Sequence, residues 1–111
     1  MKISVMGTGY VGLVSGTCLA ERGHQVTCID IRSEVVQEIN AGRPPIHEIG
    51  LDNLLRSARD KGMLSATTDA KTAILDSDVT LICVGTPTVD GRMDMSQIVA
   101  AAKEIGSALA S

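Results

Sequence analysis

Apolar residues in the first thirty positions form two short runs with a periodic stretch between them. Ile3-Ser4-Val5-Met6 is long enough for one strand, and Val26-Thr27-Cys28-Ile29 for a second. Between them Val11, Val14 and Cys18 recur at i, i+3 and i+7, the spacing of one helix face. That helix is expected to run to about Arg22, with Gly23 in its C-cap. Val35, Val36 and Ile39 predict a second helix with Ser33 as N-cap, ended by Gly42 and Pro44-Pro45. An extended segment reaches Gly50. Leu51, Leu54, Leu55 and Ala58 then give an amphipathic helix capped by Gly62. Met63–Thr67 predicts a short third strand, and Thr68 or Asp69 caps a short helix through Ile74-Leu75. Val79–Val84 is a near-continuous apolar run, as in a strand buried on both faces. A polar loop, Thr88–Met93, precedes a last helix with Ile98, Ala102, Ile105 and Leu109 facing inward and Ser96 as N-cap.

The first strand runs straight into Gly7-Thr8-Gly9-Tyr10-Val11-Gly12, and the second ends on Asp30. A bare G-x-G-x-x-G is weak evidence, because turns need glycine. Here a strand precedes it, a helix follows it, and an acid stands at the tip of the next strand, about 20 residues on. Gly7 permits the tight turn, Gly9 lets a pyrophosphate approach the backbone, and Gly12 lets the helix pack against the strand. Tyr10 and Val11 open a helix whose free N–H groups and positive dipole end favour phosphate. Asp30 can accept hydrogen bonds from the adenosine ribose hydroxyls. Arg32, two residues on, either flanks that ribose or is a solvated loop charge. A 2′-phosphate would face the like charge of Asp30, so NAD is expected over NADP. Gly85 and Thr86 follow the fourth strand at its carboxyl end, where open parallel sheets bind ligands. Taken alone, Gly85-Thr86-Pro87 reads equally well as a plain strand-ending turn.

Strands and helices alternate, which predicts an α/β chain: a Rossmann-like, doubly wound parallel sheet of order 3-2-1-4, cut short after the fourth strand and its following helix. Residues 1–111 are read as one N-terminal dinucleotide-binding domain, incomplete, with no substrate or catalytic domain. The fourth strand would be an apolar edge. The chain is therefore expected either to be part of a longer protein or to pair with itself along that edge as a homo-oligomer.

Composition narrows the partners. Net charge is −3, and the chain has one Tyr, no Phe and no Trp. It thus lacks both the basic footprint and the stacking platforms of nucleic-acid binders. No apolar run approaches the length of a membrane span, and a strand beginning at once leaves no room for a signal peptide, so a cytoplasmic protein without a membrane partner is expected. Cys18, Cys28 and Cys83 follow no metal-binding or C-x-x-C spacing and lie in apolar segments, so they are expected to be small buried hydrophobes in a reducing compartment. His24 reads as a polar turn residue.

Several blocks in fixed order resemble the N-terminal part of the UDP-glucose/GDP-mannose 6-dehydrogenases. They are Gly7–Leu13, Glu21-Arg22-Gly23-His24, Asp30, Pro45–Leu51, Thr67-Thr68-Asp69, and Cys83–Pro87 with Asp90-Gly91 and Asp94. The resemblance covers essentially the whole chain. The NAD domain of a 3-hydroxyacid-type dehydrogenase shares the glycine turn but matches the Pro45-Ile46 and Gly85–Pro87 blocks less well. The resemblance implies an oxidoreductase that takes a sugar-nucleotide C6 alcohol to a carboxylate with two NAD in succession. In that family a cysteine thiolate carries the intermediate as a thiohemiacetal and then a thioester, and it lies in a later domain, as do the residues assisting it and the nucleotide-sugar pocket. Carried over here are cofactor positions only: the three glycines, Tyr10, Val11, Asp30 and Thr86. The chain itself is thus expected to be inactive; the alternative is a free-standing dinucleotide-binding or self-associating module without chemistry. Two departures stand out. Val35 replaces a lysine that helps many relatives bind NAD, leaving Arg32 as the residue to substitute for it, and Ile49 replaces a proline. The blocks around Leu75–Asp78 and Cys83–Pro87 look slightly closer to GDP-mannose members.

Overall fold

The computed structural model describes residues 1–45, 49–84, 88–89, 91–93 and 95–110, with the side chains of residues 88, 89, 92 and 93 left aside. Its elements are β1 (Lys2–Met6), α1 (Tyr10–Glu21), β2 (Gln25–Ile29), α2 (Ser33–Asn40), α3 (Leu51–Asp60), β3 (Leu64–Thr67), α4 (Ala70–Leu75), β4 (Val79–Ile82), β5 (Thr88–Val89), β6 (Arg92–Met93) and α5 (Ser96–Leu109). The four longer strands form one parallel sheet in the order β3-β2-β1-β4, the order expected for right-handed crossovers. β5 and β6 form a small antiparallel hairpin, with Gly91 at φ +75°, where a plain polar loop was expected.

The two faces of the sheet carry separate cores. On one, Ile3 and Val5 of β1 pack with Val26, Cys28, Leu64 and Ala66 against Leu13 of α1, Val35 and Ile39 of α2, and Leu51, Leu55 and Ala58 of α3. On the other, Met6 and Ile29 meet Ala70, Ala73 and Ile74 of α4 and Ala101 and Ala108 of α5. The alternation follows from the period of two along a strand. Ser4 also points to the second face, fully buried, and shares hydrogen bonds with Ser77 Oγ (3.0 Å) and Thr80 Oγ1 (2.6 Å).

The inner faces of α1 and α5 differ from those expected. Val11 and Cys18 are exposed, and α1 buries Gly12, Leu13, Gly16, Thr17 and Ala20 instead. Leu13 apart, small residues face the sheet because the helix approaches it closely, a Cβ on Gly16 standing 3.4 Å from Val26; a hydrophobicity pattern ranks glycine low and misses them. Cys18 is therefore not a buried hydrophobe, and Cys83 is only partly buried; Cys28 alone among the three is fully enclosed. On α5 the buried residues are Ala101 and Ala108, with Ile98 and Ile105 half-buried beside them, while Ala102 and Leu109 face solvent. Ser33 and Ser96 are the first helical residues rather than N-caps, those positions being held by Arg32 and Met95. Asp69 caps α4 as expected, accepting from the Thr72 N–H. β4 is a half-exposed edge rather than a strand buried on both faces.

The opposite edge, β3, is closed by one side chain. Asn40, the last residue of α2, donates from Nδ2 to the Ala66 carbonyl (3.0 Å) and accepts at Oδ1 from the Ala66 N–H (2.8 Å). Its amide thereby pairs with an edge strand as a further strand would. Asn40→Ala should cost about 1–2 kcal/mol, read as a lower denaturant midpoint with unchanged slope; an unchanged midpoint would remove this role.

Candidate functional site

The register places three strand ends level. Met6 pairs with Ile29 on one side and Ile82 on the other. The Gly7 N–H donates to the Ile29 carbonyl (2.9 Å), and the Cys83 N–H to the Met6 carbonyl (2.8 Å). Above these carboxyl ends lies a cavity of about 990 Å³. Its lining comes from the glycine turn and first turn of α1 (Gly7, Thr8, Gly9, Tyr10, Val11), the tip of β2 (Asp30, Ile31, Arg32), Thr68 and Ala70 near α4, Ile82–Val84, and Gln97, Ala100, Ala101 and Glu104 of α5. Its size is at the upper end for a small-molecule or cofactor site.

Two glycines are fixed by sterics. Gly7 has φ +96°, and a Cβ on it would stand 2.8 Å from the Cys83 carbonyl oxygen. A Cβ on Gly12 would stand 2.0 Å from the Gly7 carbonyl oxygen, so α1 can begin here only if residue 12 has no side chain. Gly9 differs: a Cβ there meets no atom within 4 Å. Gly9, the N-cap of α1, lines the cavity and leaves its backbone open to whatever enters there. The first turn of α1 has no side-chain cap and no acidic residue, leaving its N–H groups and positive dipole end to the cavity. These features fit a phosphate-bearing ligand.

Asp30 faces the same space from the tip of β2 and is 8% exposed. Thr8, itself buried, donates to Asp30 Oδ2 from its hydroxyl and from its N–H (3.3 Å). Arg32 donates from its main-chain N–H (2.9 Å) and Nε (3.0 Å) to Oδ1, and from Nη2 (3.0 Å) to Oδ2. Burial by itself would push the Asp30 carboxyl up, but the Arg32 and Thr8 hydrogen bonds outweigh it and hold the group well below the usual carboxylate range. Asp30 is thus ionised throughout the physiological range.

Of the residues read as cofactor ligands, Gly7, Gly9, Tyr10, Val11, Asp30 and Arg32 all line this one cavity, and Gly12 supports it from behind. Gly85 and Thr86 lie outside the described residues, although Ile82–Val84, which lead to them, line the cavity. Val35 is buried in the core. Sequence reasoning passed over Thr8. The signal was a hydroxyl in the glycine turn next to Gly7, just after the strand that pairs with the one leading to Asp30. It also passed over Ile31, 91% exposed at the cavity rim. Burial pushes the Cys28 thiol up to about 12 and also raises that of the partly buried Cys83, which disfavours the thiolate at both.

A glycine turn, an uncapped helix start and an acid at the next strand's tip, gathered at the carboxyl ends of a parallel sheet, define a dinucleotide-binding domain of the Rossmann type. The chain belongs to the UDP-glucose/GDP-mannose dehydrogenase family and matches that family's NAD binding domain over residues 1–111. It is 49% identical over 110 residues to GDP-mannose 6-dehydrogenase of Pseudomonas aeruginosa, and 48% identical over 111 residues to UDP-glucose 6-dehydrogenase of Rhizobium meliloti. Each alignment covers 98% of this chain and 25% of the relative, so the chain spans about a quarter of the length of the relatives it matches. The crystal structure of a ternary complex of the Pseudomonas aeruginosa GDP-mannose dehydrogenase superposes with a TM-score of 0.96, covering 98% of this chain and 25% of that one. A UDP-glucose dehydrogenase from Pyrobaculum islandicum superposes at 0.92 with 40% identity, covering 96% of this chain and 25% of that one.

Two stability predictions follow from the site. Gly12→Ala should destabilise by about 1–3 kcal/mol or more through overpacking, while Gly9→Ala should stay within about 0.5 kcal/mol; equal losses in thermal unfolding would contradict the distinction. The folded-state pKa of Asp30 lies below its unfolded value, so its stabilisation is complete above about pH 4 and fades as pH falls further. The stability margin of the unmutated protein over Asp30→Asn should accordingly shrink below about pH 4, and a margin constant down to acid pH would show that the carboxylate contacts contribute nothing.

Proposed function

We propose that this chain is the NAD-holding portion of a nucleotide-sugar 6-dehydrogenase acting on UDP-glucose or GDP-mannose. The observation that carries the reading is Asp30 facing the glycine turn across one cavity, in a chain of this family. Gly7, Gly9 and Gly12 shape the turn for the pyrophosphate, the α1 N–H groups beginning at Tyr10 and Val11 receive it, Asp30 takes the ribose hydroxyls with Arg32 beside it, and Gly85 and Thr86, which follow β4 in the sequence, are assigned to the cofactor as well. Bound there, NAD supplies a hydride acceptor. The residues of this chain orient it and present its open face to a substrate. Residues 1–111 are accordingly read as the cofactor domain of such an enzyme. The names of the relatives support both sugar nucleotides, at 49% and 48% identity.

Among the described residues no helix is long and apolar enough to cross a membrane, and a cytoplasmic location accords with this and with the unpaired cysteines. Val79 and Ile82 of β4 are each 41% exposed, and among the described residues β4 pairs only with β1. That edge supports either a continuing sheet or pairing with a second copy in a homo-oligomer.

Calorimetric titration tests the cofactor assignment. NAD should bind more tightly than NADP, and Asp30→Ala should lose roughly tenfold in NAD affinity. Tighter binding of NADP, or an unaffected Asp30→Ala variant, would overturn the role given to Asp30.

A further inference from the structure

Five donors converge on the two oxygens of Asp30, one more than the four or so lone-pair positions a carboxylate offers. Three of them are set by the backbone or by a buried side chain: the main-chain N–H groups of Thr8 and Arg32, and the hydroxyl of Thr8, which is 2% exposed. The other two, Nε and Nη2 of Arg32, belong to a side chain that is 54% exposed and, among the described residues, is held by this pair. They place one donor on each carboxylate oxygen. A vicinal diol offers Asp30 the same pattern, two donors on one rigid frame. The Arg32 fork and a ribose diol therefore cannot occupy Asp30 together.

From this we infer that Arg32 is a displaceable internal stand-in for the ribose diol, competing with the cofactor for Asp30 and setting both its affinity and its selectivity. The inference rests on the reading that Asp30 receives the ribose, and it changes the part expected of Arg32. Instead of adding a contact to NAD, the guanidinium must swing off the carboxylate before NAD can seat. The exposed stem and the solvent at the cavity rim give it room to do so. The pair also masks the negative charge of Asp30. With the mask in place, a 2′-phosphate approaching the tip of β2 meets a neutralised carboxylate and a nearby cation; without it, the phosphate meets a bare anion. Removing Arg32 should therefore move the two cofactors in opposite directions.

The test is titration calorimetry of the purified protein and its Arg32→Ala, Arg32→Lys and Asp30→Ala variants with NAD and with NADP. Arg32→Ala should bind NAD roughly threefold to tenfold more tightly, the range set by losing one exposed, bidentate ion pair, and should bind NADP more weakly. Arg32→Lys keeps the charge without the fork and should fall between the two for NAD. Weaker NAD binding by Arg32→Ala would make Arg32 a direct ligand and overturn the inference while leaving the ribose role of Asp30 standing. An unchanged NAD affinity would likewise overturn it. If Asp30→Ala binds NAD as well as the unmutated protein does, the ribose reading itself fails, and the stand-in role falls with it.

Discussion

The seating of α1 on the turn that leaves β1 is the contact on which the rest of the molecule depends. A Cβ at residue 12 would overlap the Gly7 carbonyl oxygen, so the helix reaches this position only with glycine there. Once seated, it aims its uncapped first turn at the strand ends, lays Leu13 into the core and leaves Gly9 facing the cavity. The level ends of β1, β2 and β4 form the cavity floor. A shift of α1 by the width of a methyl group would therefore disturb the sheet packing and the phosphate-facing N–H groups at once.

Thr8 links that turn to the second half of the site. Its hydroxyl and N–H both reach Asp30 Oδ2, so the acid at the tip of β2 is held by the same loop that faces the phosphates. Arg32 closes the carboxylate from the solvent side. Fixed donors inside and a movable fork outside make Asp30 a rigid acceptor with one exchangeable position on each oxygen. Ionisation is secured because the donors more than offset the cost of burial.

Much of this was legible in the residues. The strand order β3-β2-β1-β4 follows from alternating elements and right-handed crossovers, and the G-x-G-x-x-G turn with Asp30 located the site. Helix faces were less legible where the helix lies close to the sheet. On α1 the buried stripe is Gly12, Gly16, Thr17 and Ala20 around one leucine, and apolar periodicity pointed to Val11 and Cys18 instead. The β5–β6 hairpin escaped because two-residue strands carry no period. The Thr8 and Arg32 contacts with Asp30 escaped for another reason: a carboxylate's partners are chosen by loop geometry, to which spacing along the chain is blind.

The central claim is that one seat, formed by the glycine turn and the tip of β2, receives both the pyrophosphate and the ribose. Amide-resolved NMR titration with ADP-ribose tests it most directly, because that probe carries both groups and no nicotinamide. Saturable shifts should concentrate at Gly7–Leu13 and Asp30–Arg32, with the far ends of the strands, around Gly23 and Gly62, undisturbed. Shifts confined to the far ends, or to the glycine turn with Asp30 and Arg32 silent, would contradict it.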